Sequence, residues 1–223
     1  EALEIYSPKF LNLLENVIDL SYIGLHLMYS QFRTLEGIGI FSLVLKANGF
    51  AEFKIKKDGE WKLDIPIEER GKPNFVLYTG TESAEEKEII RNIFNGDWGV
   101  IPASLRIELE KISSNNLFGE IIKIIMITSS GAEGISLKNV RYVHLTEPYW
   151  HPIRLEQVIG RARRICSHKD LPVELQTVDV FLYLMKFSDD QIKNNKSIHL
   201  DRSKIDNKTP LTSDQALYEI SQI

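Results

Sequence analysis

The chain has 223 residues, 43% of them hydrophobic and 26% charged, a composition that supports a full globular core and excludes a disordered, collagenous or disulfide-scaffold protein. Lys and Arg number 27 against 31 Asp and Glu, so the net charge of −4 provides no chain-wide basic field, and any nucleic-acid contact must be local. The single cysteine, Cys166, excludes an intrachain disulfide and a cysteine-built zinc cluster and points to a reducing compartment.

In chain order, Glu1-Ala2-Leu3-Glu4 is acidic where a signal peptide would be basic, and no apolar run approaches the roughly 20 residues of a membrane helix. Residues 1–19 read as a helical lead-in. Leu25–Tyr29 is a short strand. Ile38–Lys46 is a helix that Gly37 and Gly39 weaken at its start and Asn48-Gly49 stops. Phe50–Ile67 contains Lys57-Asp58-Gly59-Glu60, a hairpin signal, and is expected to project as an insertion or edge ribbon. Phe75–Thr79 is a strand. Ala84–Phe94 is a helix: Ser83 and Glu86 form a capping box, and Ile89, Ile90, Ile93 and Phe94 make one apolar stripe. Ile121–Thr128, Tyr142–Leu145 and Val178–Leu184 complete the strands, several apolar on both faces as central strands of a covered parallel sheet must be. Lys186–Pro210 is polar and reads as a surface excursion. Thr212-Ser213-Asp214 caps an amphipathic helix still running at Ile223, which, with no opening methionine, reads as a fragment of a longer polypeptide. Strand and helix alternate, which predicts an α/β fold.

Two stretches carry chemistry. Thr128-Ser129-Ser130-Gly131-Ala132-Glu133-Gly134-Ile135-Ser136 follows a buried strand, where small hydroxyl and glycine residues let backbone N–H groups approach phosphates. Farther on, Pro152 opens a helix on which Gln157, Gly160, Arg161 and Arg164 share one face, while Leu155, Val158, Ile159, Ala162 and Ile165 take the other. The guanidinium is planar and permanently charged, which suits it to hold a polyphosphate and stabilise charge on a transferring phosphoryl group. A solvated basic helix face is the plainer reading of the second stretch, and an ordinary strand-to-helix turn that of the first. His151–Asp170 holds Arg154, Arg161, Arg163, Arg164 and Lys169 against Glu156 and Asp170, so the local field is positive although the chain is acidic. Cys166 reads as a packed or incidental thiol, the five histidines show no metal-ligand spacing, and Tyr149 and Trp150 are expected to pack rather than stack on a base.

Together the loop, the strand Tyr142–Leu145 and Gln-x-x-Gly-Arg-x-x-Arg resemble motifs V and VI of superfamily 2 helicases. Leu27-Met28-Tyr29-Ser30-Gln31-Phe32 is similar to motif IV, and Val76-Leu77-Tyr78-Thr79-Gly80 to the next strand of that family. The resemblance covers residues 20–190, a complete second RecA-like lobe. Gly134-Ile135-Ser136-Leu137, Glu147-Pro148-Tyr149-Trp150, Cys166-Ser167-His168, Leu171-Pro172 and the closing helix at 212 resemble more narrowly the poxvirus-type helicases and nucleoside triphosphatases of large cytoplasmic DNA viruses. Trp150 and the Gln-led motif are also similar to chromatin-remodelling translocases.

This resemblance implies that Arg161 and Arg164 are arginine fingers toward ATP and that Gln157 couples that pocket to nucleic acid. It places Glu133, Gly134 and Ser136 at the nucleotide's edge, and Ser30, Gln31, Thr79, Gly80, Thr128, Ser129 and Ser130 on the DNA or RNA backbone, with little sequence specificity. Glu133 and Ser136 stand where RNA helicases have Arg and Asp, which leaves direct ribose recognition open. Neither Gly-x-x-x-x-Gly-Lys-[Ser/Thr] nor Asp-Glu-x-[His/Asp] occurs, so the phosphate cradle and the Mg2+ ligands are expected on a preceding first lobe, and the chain alone is expected to be inactive. The implied partners are ATP, a DNA or RNA strand, that first lobe and viral transcription machinery, without a membrane; the implied location is intracellular, in host cytoplasm or virion. A passive RecA-like interaction module in a transcription or packaging complex is the alternative, and the intact paired arginines argue against it.

Overall fold

The computed structural model describes residues 2–33, 37–132, 134–194, 201–206 and 208–222. In chain order the elements are α1 (Ala2–Tyr6), α2 (Pro8–Ile18), β1 (Leu25–Tyr29), α3 (Ile38–Ala47), β2 (Ala51–Glu52), β3 (Ile55–Asp58), β4 (Glu60–Leu63), β5 (Asn74–Tyr78), α4 (Ala84–Asn95) and α5 (Ala103–Glu110). They continue as β6 (Ile124–Ile127), α6 (Ser129–Ala132), β7 (Val140–Leu145), α7 (Pro152–Ala162), β8 (Asp179–Leu182), α8 (Asp189–Asn194), β9 (Asp201–Arg202), β10 (Pro210–Leu211) and α9 (Ser213–Ser221).

Six strands form one sheet in the order β2-β5-β6-β1-β7-β8, and every pairing in it is parallel. The expected α/β fold and each expected strand are present, with β1 as expected and the other ends shifted by at most three residues. Strands buried on both faces send alternate residues to two cores. Leu25, Leu27, Tyr29, Ile125 and Ile127 join α4, α5 and α7 on one side, while Met28, Ile124 and Met126 join α2 and α3 on the other. Residues 1–19 are therefore more than a lead-in: α2 buries Phe10, Leu13, Leu14 and Val17, and the Phe10 ring packs 5.4 Å from that of Phe41.

The segment 50–67 does not project. β2 pairs with β5 as the edge strand, and β3–β4 folds back with Phe53, Ile55 and Trp61 buried in the core shared with α4 and α5. Trp61 donates from Nε1 to Glu85 Oε1 at 2.9 Å, and Ser104 Oγ donates to the Trp61 carbonyl at 2.7 Å. Alternation around Lys57-Asp58-Gly59-Glu60 signals the hairpin, but the apolar side of so short a ribbon is stable only when something covers it.

At the other end, Thr212 caps α9 as expected, its Oγ1 accepting from Gln215 N at 3.3 Å, and Gln215 completes a capping box; at α4 the Ser83 half of the expected box forms. Thr212 Oγ1 also donates to Met185 O at 2.6 Å, and Asp214 accepts from Met185 N at 2.9 Å and from Lys9 of α2. Lys9 donates onward to Thr146 O at 2.8 Å, joining the two chain ends to the end of β7. Lys186–Pro210 runs mostly on the surface, and residues 195–200 and 207 within it lie outside the described residues.

Between β1, β7, β8 and α2 lies a buried polar chain. His26 Nδ1 meets His144 Nε2 at 2.9 Å, His144 Nδ1 meets the Tyr183 hydroxyl at 2.8 Å, and Asn16 Nδ2 donates to that hydroxyl at 2.9 Å. Burial holds His26 well below the usual histidine range and carries His144 down to about 3. Both imidazoles stay neutral in the folded chain, whereas the unfolded chain takes up protons below about pH 6.5. The His144 contribution is thus complete above that pH and is lost as pH falls from there toward 3, at about 1.4 kcal/mol per pH unit, and His26 acts in the same direction. Unfolding stability from urea titration is expected to drop by about 2 kcal/mol or more between pH 7 and pH 5; a flat profile over that interval contradicts it.

Candidate functional site

Parallel pairing brings the carboxyl ends of the central strands to one edge, and a hydroxyl residue follows each: Ser30 after β1, Thr79 after β5, Thr128 after β6 and Thr146 after β7. Ligands of open α/β sheets gather at such an edge. Here the hydroxyls first organise the edge itself.

Glu147 is one organiser. Its carboxylate accepts from Ser30 Oγ at 2.8 Å, Thr146 Oγ1 at 2.6 Å and the backbone N–H of Gln31 at 3.0 Å; Ser30 is wholly buried and Gln31 half-buried. Glu82 is the other: it accepts from Gly80 N at 2.9 Å, Thr79 N at 3.2 Å and Thr79 Oγ1 at 3.1 Å. Burial works to raise the Glu82 pKa, but these donors outweigh it and hold the carboxyl below its usual range. Thr128 is buried and Ser130 exposed, and both hydroxyls donate to Thr79 O, at 3.3 and 2.7 Å. Gly131 permits this closeness, since a Cβ there would lie 2.0 Å from the Tyr78 carbonyl oxygen.

Ser129 instead faces a cleft of about 390 Å3 that it lines with Gln157, Arg161, Tyr149, Trp150 and Arg154. α7 places these groups: Pro152 sits in its first turn, Val158, Ile159 and Ala162 are buried, and Gln157 and Arg161 occupy the outer side. Arg161 forms no ion pair among the described residues. Arg154 lies 4.8 Å from the centre of the Tyr149 ring and donates to its hydroxyl at 3.0 Å, so Tyr149 packs as expected. Trp150 does not, being 55% exposed at the cleft mouth.

Arg164 departs from the predicted helix face. The helix ends at Ala162, Arg163 leaves helical geometry, and Ile165, expected on the packed side, is 96% exposed. Arg164 follows in the next turn and donates to Ile135 O at 3.5 Å, outside the residues that line the cleft. Helical spacing alone runs one turn past the true end of α7, because no glycine or proline marks the stop. What stops the helix is a buckle. Ser167 Oγ donates to Ala162 O at 3.1 Å, His168 meets Ser167 Oγ at 2.8 Å and Val140 O at 2.6 Å, and Asn139 N donates to Ser167 O at 2.8 Å. Cys166 takes a positive φ of 60° at this corner and is exposed rather than packed.

The loop 134–138 is held from two sides. Asn95 of α4 donates to Ser136 O at 2.9 Å and accepts from Lys138 N at 2.8 Å, while Leu137 N donates to Arg161 O at 3.4 Å. Gly134 is exposed with φ of 71°, and Glu133 lies outside the described residues. Sequence reasoning missed Glu82, Glu147 and Asn95. Glu82 follows Gly80 by two residues, a spacing that allows a carboxylate to fold back on the turn, whereas Glu147 and Asn95 carry no local signal. Among the described residues, no three His, Cys, Asp or Glu side chains are grouped to hold a metal ion, and no helix is long and apolar enough to cross a membrane.

Residues 68–166 match the family of the helicase conserved C-terminal domain. A protein of Acanthamoeba polyphaga mimivirus named as an ATP-dependent RNA helicase is 33% identical over 179 residues, 80% of this chain and 26% of that protein. A termination factor NPH-I homolog of African swine fever virus is 31% identical over 201 residues, 80% of this chain and 26% of that protein. Nucleoside triphosphatase I of Melanoplus sanguinipes entomopoxvirus is 30% identical over 109 residues, 49% of this chain and 17% of that protein. The chain thus spans about a quarter of the length of the first two relatives. The crystal structure of the C-terminal part of the Fun30 ATPase domain matches with a TM-score of 0.50 and 14% identity over 95% of this chain and 50% of that one, a likeness of fold.

The two glycines of this region call for opposite outcomes. Gly131→Ala drives a methyl into the Tyr78 backbone and is expected to destabilise by about 1 to 3 kcal/mol. Gly160→Ala meets nothing within 4 Å and is expected to stabilise α7 by about 0.5 to 1 kcal/mol. Urea midpoints of the two variants check both signs.

Proposed function

We propose, from the match of residues 68–166 to the helicase conserved C-terminal domain and from relatives that include viral nucleoside triphosphatases, that the chain is the second RecA-like lobe of an ATP-dependent nucleic-acid motor. In this reading ATP is held on another lobe and its phosphates face the cleft of α7. Arg161 is the observation that carries it: a guanidinium outside any described ion pair, in one cleft with Gln157 and Ser129. A fixed cation at that place stabilises charge on the transferring phosphoryl group, and a planar fork meets two phosphate oxygens together.

The donor set fits a polyphosphate, offering the Arg161 guanidinium and the Gln157 side-chain amide. It includes no carboxylate, so the ligands of Mg2+ belong with the other lobe. ATP supplies the free energy of phosphoryl transfer; this chain's residues position and neutralise. Arg164 acts from the turn after the helix, and its contact with Ile135 O couples movement of that turn to the loop at Gly134 and Ser136. Gln157 lies beside Arg161 on α7 and links the nucleotide side to the strand ends, where Thr79, Gly80 and Ser129 meet the backbone of a DNA or RNA strand. Contacts through N–H and hydroxyl groups carry no base reading, so translocation independent of sequence is expected. The occurrence of a named termination factor among the relatives supports a place in viral transcription.

In the two-lobe protein, Arg161→Ala is expected to lower nucleic-acid-stimulated ATP turnover by about 10³-fold, the scale of arginine fingers generally. Steady-state ATPase with single- and double-stranded DNA and RNA measures it and identifies the stimulating strand. Unchanged turnover in the variant contradicts the assignment of Arg161.

A further inference from the structure

The turn after β5 is a ready anion site, and the chain itself occupies it. Gly80 takes a φ of 96°, which allows the N–H groups of Thr79 and Gly80 to point the same way. The hydroxyls of Thr79 and Thr81 add two more donors, at 3.1 and 3.3 Å from Glu82 Oε1. All four converge on the Glu82 carboxylate. A phosphodiester presents the same pattern, two anionic oxygens on one centre, so nucleic-acid backbone and Glu82 cannot use these donors together.

We propose that Glu82 is an internal competitor for nucleic-acid phosphate, and that a strand engages Thr79 and Gly80 only after this side chain has left them. The idea rests on the reading that a strand runs along this edge. Three features make departure feasible. Glu82 is only partly buried and faces a cleft of about 430 Å3 lined also by Arg33, Lys54 and Glu86. α4 does not depend on it, because Ser83 Oγ accepts from Glu86 N at 3.1 Å and caps the helix alone. Glu86 also repels it: burial first, and then the charge of Glu82, push the Glu86 carboxyl up. Glu82 thereby sets the affinity of this edge, restraining binding where the donors by themselves would hold a phosphate in every state of the motor.

The test is the affinity of the 223-residue chain for a fluorescent single-stranded oligonucleotide, DNA and RNA in parallel, at fixed low salt. Glu82→Ala is expected to bind about tenfold more tightly than the unmodified chain, the scale of one charge-assisted contact made available. Glu82→Gln, which keeps the shape and loses the charge, is expected to fall between them and replaces Glu82→Ala if thermal unfolding shows that variant to be unfolded. Unchanged or weaker binding by the variants overturns the proposal. If no chain binds either oligonucleotide, the nucleic-acid reading of this edge falls, and inorganic phosphate decides the competition. Saturable shifts of the Thr79 and Gly80 amide resonances in Glu82→Ala, absent from the unmodified chain, then uphold Glu82 as the occupant of an anion site. Absence of such shifts in both chains overturns it.

Discussion

Placement of β1 between β6 and β7, with both pairings parallel, is the constraint from which the edge chemistry follows, because it brings Ser30, Thr128 and Thr146 to the same side of the sheet. An antiparallel neighbour would send its loop to the opposite edge. The central position of β1 is notable against the extent of the family match, which begins at residue 68 and so omits this strand. Ile124, Ile125, Met126 and Ile127 pair on one flank of β1, and Val143, His144 and Leu145 on the other, so the matched region could not close its sheet without it.

The edge is built from carboxylates as much as from hydroxyls. Glu147 gathers the ends of β1 and β7, and Glu82 gathers the turn after β5, each taking two or more donors that would otherwise be left without a partner. A buried donor without an acceptor costs about 1 to 3 kcal/mol, which gives each carboxylate a structural role before any ligand arrives. The two differ in what holds them. Glu147 sits among buried partners of two strands, whereas Glu82 belongs to the turn that it caps and faces an open cleft. The first is a fixture of the fold, and the second can exchange with an external anion.

Rigidity around α7 comes from both ends of its surroundings. The Ser167 and His168 buckle fastens its exit to the start of β7, and Asn95 fastens the loop at Ser136 to α4. Arg161 therefore projects from a braced helix, and its charge is placed by the fold. Arg164 projects from the buckle itself, and displacement of that turn would move Arg164 and the Ile135 carbonyl together.

Much of this was legible in the residues. Short apolar runs marked five of the six strands of the sheet, Ser83 with Glu86 marked α4, Thr212 marked α9, and Gln157 with Arg161 marked the outer face of α7, because period and capping are properties of neighbours in the chain. The burial of the hairpin was hidden, since Trp61 shows its partner only when α4 and α5 are folded against it. The end of α7 was hidden too, because a buckle reaching back to β7 stops it rather than a local breaker. So was the occupation of the predicted phosphate contacts: Ser30 meets Glu147 across 117 residues of chain, and Ser130 meets Thr79 across 51. By itself the sequence determined which elements form and which side chains have the chemistry to hold a phosphate. Only the tertiary structure decided which of those donors are already taken, because hydrogen-bond partners are assigned by proximity in space, and that proximity is created by the burial of apolar faces far apart in the chain.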